Sequence, residues 1–227
     1  MENEHNTRNI RSFVRRQGRI TPGQQRALET LWPRYGLSGD TSINLDREFG
    51  RQAPRTLEIG FGNGTALATL AGSQPENDFI GIEVHRPGVG HLLQAIETNE
   101  LENVRILCMD AIPVLENCLA DRSLDRLLLF FPDPWHKKRH HKRRIVQSEF
   151  IQLVANKLKQ GGILHMATDW KDYAQQMLAV ANSSPEFTNC DAGKSYSPRP
   201  AYRPVTKFEQ RGQRLGHGVW DLLYQRR

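Results

Sequence analysis

Residues 57–64 read Leu-Glu-Ile-Gly-Phe-Gly-Asn-Gly: a strand, Arg55–Ile59, ends in alternating glycines and leads into Thr65–Ala71, a short helix-forming segment. A strand-to-helix turn built on glycine lets the backbone approach a ligand, because no Cβ intervenes. Gly60, Gly62 and Gly64 alternate and residue 65 is Thr, so the spacing departs from the Gly-x-Gly-x-x-Gly of dinucleotide sites. No Gly-Lys-Ser/Thr follows, which excludes a phosphate loop for nucleoside triphosphates. Glu58 sets a carboxylate beside the turn, where it would repel a pyrophosphate and attract an ammonium or sulfonium. A plain structural turn would use the same glycines, so the residues around it must decide.

Outward from this turn the chain alternates strand and helix. Phe79–Val84 and Val104–Met109 read as the next strands. Val89, Leu92, Leu93 and Ile96, at i, i+3, i+4 and i+7, predict a helix between them, and Ile112–Leu119 predicts another. Leu124–Phe131 is a nearly continuous apolar strand, as expected where both faces of a sheet are covered. Val146, Phe150, Leu153, Val154 and Leu158 predict a helix ended by Gly161-Gly162. Ile163–Ala167 predicts a fifth strand, and Trp170, Tyr173, Ala174, Met177, Leu178 and Ala181 a fifth helix. Residues 183–204 read as loop. Val205–Arg211 and Val219–Tyr224 read as a closing antiparallel pair. The fold class is α/β: one Rossmann-like domain over 46–227, with a mostly parallel sheet and helices on both faces. Residues 1–45 show no core pattern and read as a flexible basic arm, in which Thr21-Pro22-Gly23 breaks any helix.

Ligands of such sheets bind at the carboxyl ends of the strands. Glu83 ends the second strand and Asp110 follows the third, so with Glu58 three acids stand at three successive strand ends. One carboxylate there can take both ribose hydroxyls and another an adenine amino group. Each acid alone would also suit a helix N-terminus. The fourth strand runs into Phe131-Pro132-Asp133-Pro134-Trp135-His136-Lys137-Lys138. Pro132 and Pro134 hold Asp133 in a stiff frame, and Trp135 offers a flat face to a base. Core packing of Trp135 and a solvated basic loop are the structural alternative.

Charge is segregated. The 227 residues carry a net +6. Residues 1–26 hold +4, with Arg8, Arg11, Arg15 and Arg19 on one face if helical; residues 136–144 hold +6 and residues 194–227 hold +6, leaving −10 on the remainder. Three basic segments on an acidic body suit a polyanion better than scattered surface charge does. No run approaches the roughly 18–20 apolar residues of a membrane span. Cys108, Cys118 and Cys190 form no Cys-x-x-Cys pair, and the first residues lack an apolar leader. Reduced thiols and a cytoplasmic location are expected. His136 and His140, four apart in cationic surroundings, do not suggest a metal.

The set Leu-Glu-Ile-Gly-Phe-Gly-Asn-Gly, Gly-Ile-Glu-Val-His at 81–85, Phe-Pro-Asp-Pro-Trp-His-Lys-Lys at 131–138, Ala-Thr-Asp-Trp at 167–170 and Thr-Lys-Phe-Glu at 206–209 resembles the bacterial tRNA (guanine-N7-)-methyltransferase family over about residues 50–224. The first motif indicates only a Rossmann-like methyltransferase; the proline motif and Thr-Lys-Phe-Glu are far more specific. The resemblance implies S-adenosylmethionine as cofactor and a guanosine of the tRNA variable loop as target. It implies that Glu58, Gly60, Gly62, Gly64, Glu83, Asp110 and Asp133 line the cofactor site and that Asp133 is the catalytic residue. It further implies that Lys137, Asp169, Thr206, Lys207, Phe208 and Glu209 face the substrate, and Arg139, His140, His141, Lys142, Arg143 and Arg144 the RNA. Neither monomer nor homodimer is favoured. The rival readings are a methyltransferase acting on something other than tRNA, against which the basic segments argue, and a non-catalytic RNA-binding protein that kept the fold.

Overall fold

Thr21-Pro22-Gly23, expected to break a helix, begins one. In the computed structural model, which describes residues 12–13, 18–205, 209 and 218–227, helix α1 spans Pro22–Thr30. Thr21 Oγ1 accepts from the Gln24 N–H (3.3 Å), and Gln24 Oε1 accepts from the Thr21 N–H (2.9 Å). This reciprocal capping box satisfies donors at the helix start. Pro22 fits the first turn, where its missing N–H would have found no partner. Helix α2 (Trp32–Tyr35) follows, and the Leu37 N–H then donates to Ile106 O (2.8 Å). Ala27, Tyr35, Leu37 and Ile43 are buried. Residues 21–45, expected to belong to an arm, are thus packed on the body through a few irregularly spaced apolar side chains. Arg8, Arg11, Arg15 and Arg16 lie outside the described residues.

After helix α3 (Leu45–Phe49) the alternation begins: β1 Arg55–Ile59, α4 Thr65–Ser73, β2 Asp78–Ile82, α5 Arg86–Thr98, β3 Val104–Leu107, α6 Ala111–Asn117, β4 Leu124–Phe130, α7 Ser148–Lys157, β5 Leu158–Thr168, α8 Lys171–Ser183, β6 Phe187–Asn189 and β7 Trp220–Arg226. The strands form one sheet in the order β3-β2-β1-β4-β5-β7-β6. The first five are parallel, with Leu57 beside Ile80 and Leu127, and Leu128 beside His165. Strand β7 runs antiparallel between β5 and β6. The order reverses between β1 and β4, and the crevice opens there.

Alternation along the strands sends side chains to two separate cores. Leu57, Ile59, Leu127, Leu129 and Met166 pack with Val114, Phe150, Val154, Tyr173 and Met177 of α6, α7 and α8. Phe79, Leu128 and Phe130 pack on the other face with Ala27, Leu67, Leu92 and Ile96 of α1, α4 and α5. β4 lies between two parallel neighbours and feeds both cores, which is why its sequence is apolar without a break.

Three boundaries differ from the sequence reading. Helix α7 ends at Lys157, and Gly161-Gly162 lie inside β5, where Gly161 takes φ 78° and the β4–β5 register shifts between Leu124 and Arg126. The glycines serve a strand irregularity, with no part in ending the helix. Strand β6 falls inside the expected loop; three residues are too few to show alternation. The antiparallel partners of β7 are β5 and β6. Of 205–211 only Val205 and Glu209 are described, and neither lies in a strand.

Candidate functional site

The turn after β1 and the turn after β2 are locked together by one side chain. Gly60, Gly62 and Gly64 take φ 72°, 59° and 74°, in the left-handed region open to glycine. The Glu83 carboxylate accepts from the Gly62 N–H (2.8 Å) through Oε2 and from the Val84 and His85 N–H groups (2.7 and 3.0 Å) through Oε1. The acid read as a ribose acceptor therefore also holds the glycine turn in shape. Gly64 does something else than expected. A Cβ there would stand 2.6 Å from Leu92, so its place is behind the turn, against α5, and it does not line the cavity.

Glu58, also expected to line the cofactor site, is 3% exposed and does not belong to the cavity wall. Among the described residues its Oε2 has no hydrogen-bond partner. Burial, and then the charge of Glu83, push its carboxyl up to about 8. Desolvation beside a second acid favours the protonated form under the glycine turn. Asp110 is half-buried and caps α6, with Oδ1 accepting from the Ile112 N–H (3.2 Å). Gly60, Gly62, Glu83 and Asp110 line a cavity of about 390 Å³ with Asp133, and Ile59, Ile82, Met109 and Phe131 give it apolar walls. Ser12 and Phe13 line it too, although nothing in the sequence marked them.

Asp133 enters this cavity on a strained turn. Phe131 and Trp135, on either side of Pro132-Asp133-Pro134, take φ 52° and 46°. Non-glycine residues there cost about 1–3 kcal/mol each and persist only when surroundings impose them. Here the surroundings are visible. The Phe131 N–H donates to Ala167 O (2.8 Å). Arg144, 2% exposed, donates to Pro134 O (2.8 Å), Gln176 Oε1 (2.7 Å) and Asp172 Oδ2 (2.6 Å), and lies over the Tyr173 ring. Asp172 is held below the usual carboxylate range by that bond from Arg144. Arg144 was expected to face RNA; its guanidinium is instead committed to the turn and to α8. Its position inside a basic run concealed this.

Trp135 also differs from expectation. The Arg143 guanidinium lies 3.7 Å from its ring centroid, and its indole N–H donates to Ser12 O (3.0 Å). That face of the ring is taken by a cation. His136 instead stacks on Trp170, with centroids 4.1 Å apart and planes 20° from parallel. Lys137, Lys138, Arg139 and Lys142 are exposed around a 3₁₀ turn at Lys138–Arg143, while His140, His141 and Arg143 are half-buried. Asp169 is half-buried directly after β5, whose end lies beside that of β4. Thr206, Lys207 and Phe208 lie outside the described residues. Glu209 is 1% exposed and bound through both oxygens to Arg203. Among the described residues no three His, Cys, Asp or Glu stand together as a metal site. No described helix is long and apolar enough to cross a membrane.

A mostly parallel sheet closed by an antiparallel strand, with a glycine turn and acids at its carboxyl edge, is the build of a Rossmann-like methyltransferase. A family model described as "Putative methyltransferase" matches residues 52–222. Two solved structures share the fold at low identity: the 16S rRNA methyltransferase KamB (TM-score 0.57, 13% identity, 82% of this chain and 95% of that one) and TrmN from Thermus thermophilus (TM-score 0.54, 19% identity, 81% and 47%). The tRNA (guanine-N(7)-)-methyltransferase of Alcanivorax borkumensis is 58% identical over 221 residues, covering 97% of this chain and 92% of its own. That of Pseudomonas aeruginosa is 59% identical over 220 residues, covering 96% and 90%. The chain belongs to the tRNA (guanine-N(7)-)-methyltransferase family.

Proposed function

We propose that this protein transfers the methyl group of S-adenosylmethionine to N7 of a guanosine in the variable loop of tRNA. The observation that carries this is Asp133, held by a strained turn in the wall of the cavity that Gly60, Gly62, Glu83 and Asp110 also line, next to an exposed basic surface. The cavity fits the cofactor chemically. A Cβ on Gly60 or Gly62 would meet nothing within 4 Å, so open space faces the turn. The Glu58 oxygen, unpartnered among the described residues, could accept from a donor, and a cation nearby would favour its ionised form. When bound, S-adenosylmethionine supplies an electrophilic sulfonium methyl group.

The chain's own residues would do the rest. Glu58 would hold a positive group, and Glu83 and Asp110 would accept from hydroxyl and amino groups with their remaining lone pairs. Guanine N7 has an in-plane lone pair and no proton, so no general base is needed, and alignment with exclusion of water dominates. The methylated base is cationic. A carboxylate fixed at Asp133 stabilises that charge as it develops. Lys137, Arg139 and Lys142, exposed beside the turn, would meet the RNA backbone. N7 faces the deep, narrow groove of A-form RNA, so the RNA must be widened locally or the guanosine drawn out of its stack.

The test is nucleoside analysis of tRNA incubated with the protein and S-adenosylmethionine. Appearance of 7-methylguanosine is expected. Its absence, with cofactor bound by calorimetry and tRNA bound by filter retention, overturns the reading.

A further inference from the structure

The turn after β4 and the residue before α8 each present an aromatic ring, and the two rings meet face to face. His136 stacks on Trp170 with centroids 4.1 Å apart and planes 20° from parallel. Among the described residues every other ring pair meets at 57° or more. The difference matters, because a parallel stack leaves an outer face to which a further flat ring can be added. Trp170 is the inner ring: it is half-buried and packs against the core that contains Tyr173 and Met177. Its backbone is fixed, with the N–H donating to Thr168 Oγ1 (3.2 Å) and the carbonyl accepting from the Ala174 N–H (2.9 Å). His136 is the outer ring. It is exposed, and among the described residues its nitrogens form no hydrogen bond. Trp135, the aromatic plane that the sequence offered to a base, is engaged elsewhere: Arg143 lies over it, and His140 meets it edge-on with centroids 6.0 Å apart.

Neither ring lines the cavity that holds Asp133. Both stand close to it along the fold: His136 is three residues beyond Asp133, and Trp170 follows Asp169 at the end of β5, which lies beside β4. Lys137 and Lys171, adjoining the two rings in sequence, are exposed, and so are Lys138 and Arg139. A flat outer ring among cations suits a nucleotide, whose base stacks while its phosphate is neutralised. We propose that the His136–Trp170 pair is a stacking platform for a base next to the target guanosine. The target itself must reach Asp133 in the cavity, so a ring outside the cavity wall takes its neighbour. Exposing the guanosine costs that neighbour a stacking partner, and the imidazole supplies a replacement. Stacking reads no hydrogen-bond pattern, so the platform accepts any base at that position. The proposal rests on the methyl-transfer reading above.

The test uses full-length wild type, His136→Ala and His136→Phe with two tRNA transcripts, one intact and one lacking the bases on either side of the target guanosine. On the intact transcript, His136→Ala should raise the tRNA Kd roughly 5–100-fold, the range for losing one base–aromatic stack. His136→Phe should stay within about 3-fold of wild type, since a phenyl ring stacks without charge. The slope of log K against log salt should not change in either variant, because no phosphate contact is removed. The transcript lacking the flanking bases should bind wild type and His136→Ala within about 2-fold of each other, because ring and base act as one pair. The cofactor Kd should stay within about 2-fold throughout, as for sites without a shared partner. A wild-type tRNA Kd in His136→Ala overturns the proposal, and a flattened salt slope in His136→Phe does so by making His136 a phosphate contact. A loss in His136→Ala that persists without the flanking bases rejects it too. So does a loss that vanishes only on a transcript lacking the target guanine, which would seat the target itself on the platform. Binding needs no turnover: if the wild type makes no 7-methylguanosine, the parent reading falls, and the binding comparison still decides the platform.

Discussion

Two regions of the molecule bury carboxyl groups, and they do so in opposite ways. Under the glycine turn, Glu58 is buried beside Glu83 without a cation among the described residues to offset it, and its carboxyl is pushed up to about 8. Under the segment at Tyr202–Arg203, Asp221 and Glu209 are as deeply buried but share one guanidinium. An uncompensated buried acid is expensive, whereas a paired and hydrogen-bonded one is tolerated. The first region keeps its acid protonated, and a positive ligand there would favour the ionised form. The second gives each acid a hydrogen-bonded partner in Arg203, and Asp221 a further one in His165, and serves as a frame. Asp133 stands where the two meet, lining the cavity of the first on a turn that packs against the second.

The sharpest way to break this division is at Asp133. Asp133→Asn keeps the shape and removes the charge, and single-turnover methylation should fall roughly 10–1000-fold, the range for one preorganised electrostatic contact. Saturating cofactor should not restore it. A wild-type rate would reduce Asp133 to a turn residue.

Glu83→Ala should act on the first region alone. It removes a carboxylate that holds three backbone N–H groups. Cofactor affinity measured by calorimetry should drop about 10–100-fold, as for the loss of a charge-assisted hydrogen bond, while tRNA affinity stays near wild type. The reverse pattern would exchange the roles assigned to the two regions.

Titration sharpens the same contrast. The Glu58 carboxyl is raised when folded, so the folded state binds the extra proton. That contribution to stability is complete below about 4.5 and is lost as pH rises through about 8. Thermal melts of Glu58→Gln should therefore gain on the wild type as pH rises across that window. Cofactor affinity of the wild type should increase with pH through about 8, because a cation favours the ionised acid; Glu58→Gln should flatten that rise. Parallel profiles for the two proteins would mean that Glu58 does not titrate with the ligand.

The smallest effects separate Arg144 from its basic neighbours. Arg144→Met leaves Pro134 O without its donor and should lower stability by about 1–3 kcal/mol in a denaturant melt. Arg139→Gln with Lys142→Gln should leave the melt unchanged. The pair should flatten the slope of log K for tRNA against log salt by about one unit for each phosphate that is no longer neutralised. An unchanged slope would place these two side chains in solvent.

The βα alternation, the strand ends that carry Glu58, Glu83 and Asp110, and the proline-framed Asp133 were all legible in the sequence. Each is local: hydrophobic period, glycine spacing and the φ restriction of proline act within a few residues of one another. The packed helix at Pro22–Thr30 was not, because a capping box and a single buried alanine leave little pattern. The place of Gly161-Gly162 inside β5 was not either, since a glycine that ends a helix and one that kinks a strand look alike in one dimension.

What the tertiary structure alone decided is the duty of each charge. Arg143 and Arg144 are neighbours in one basic run, yet the first lies over Trp135 and the second is sealed beneath Pro134. Arg203, Glu209, Asp221 and His165 come together from two strands and a covering segment, and no spacing along the chain announces them. Composition and order determine which charges exist and which elements carry them. Burial and partner geometry determine whether a charge faces RNA, awaits a cofactor or holds the fold. Those are properties of the space around a side chain, and that space exists only once the sheet has brought distant segments together.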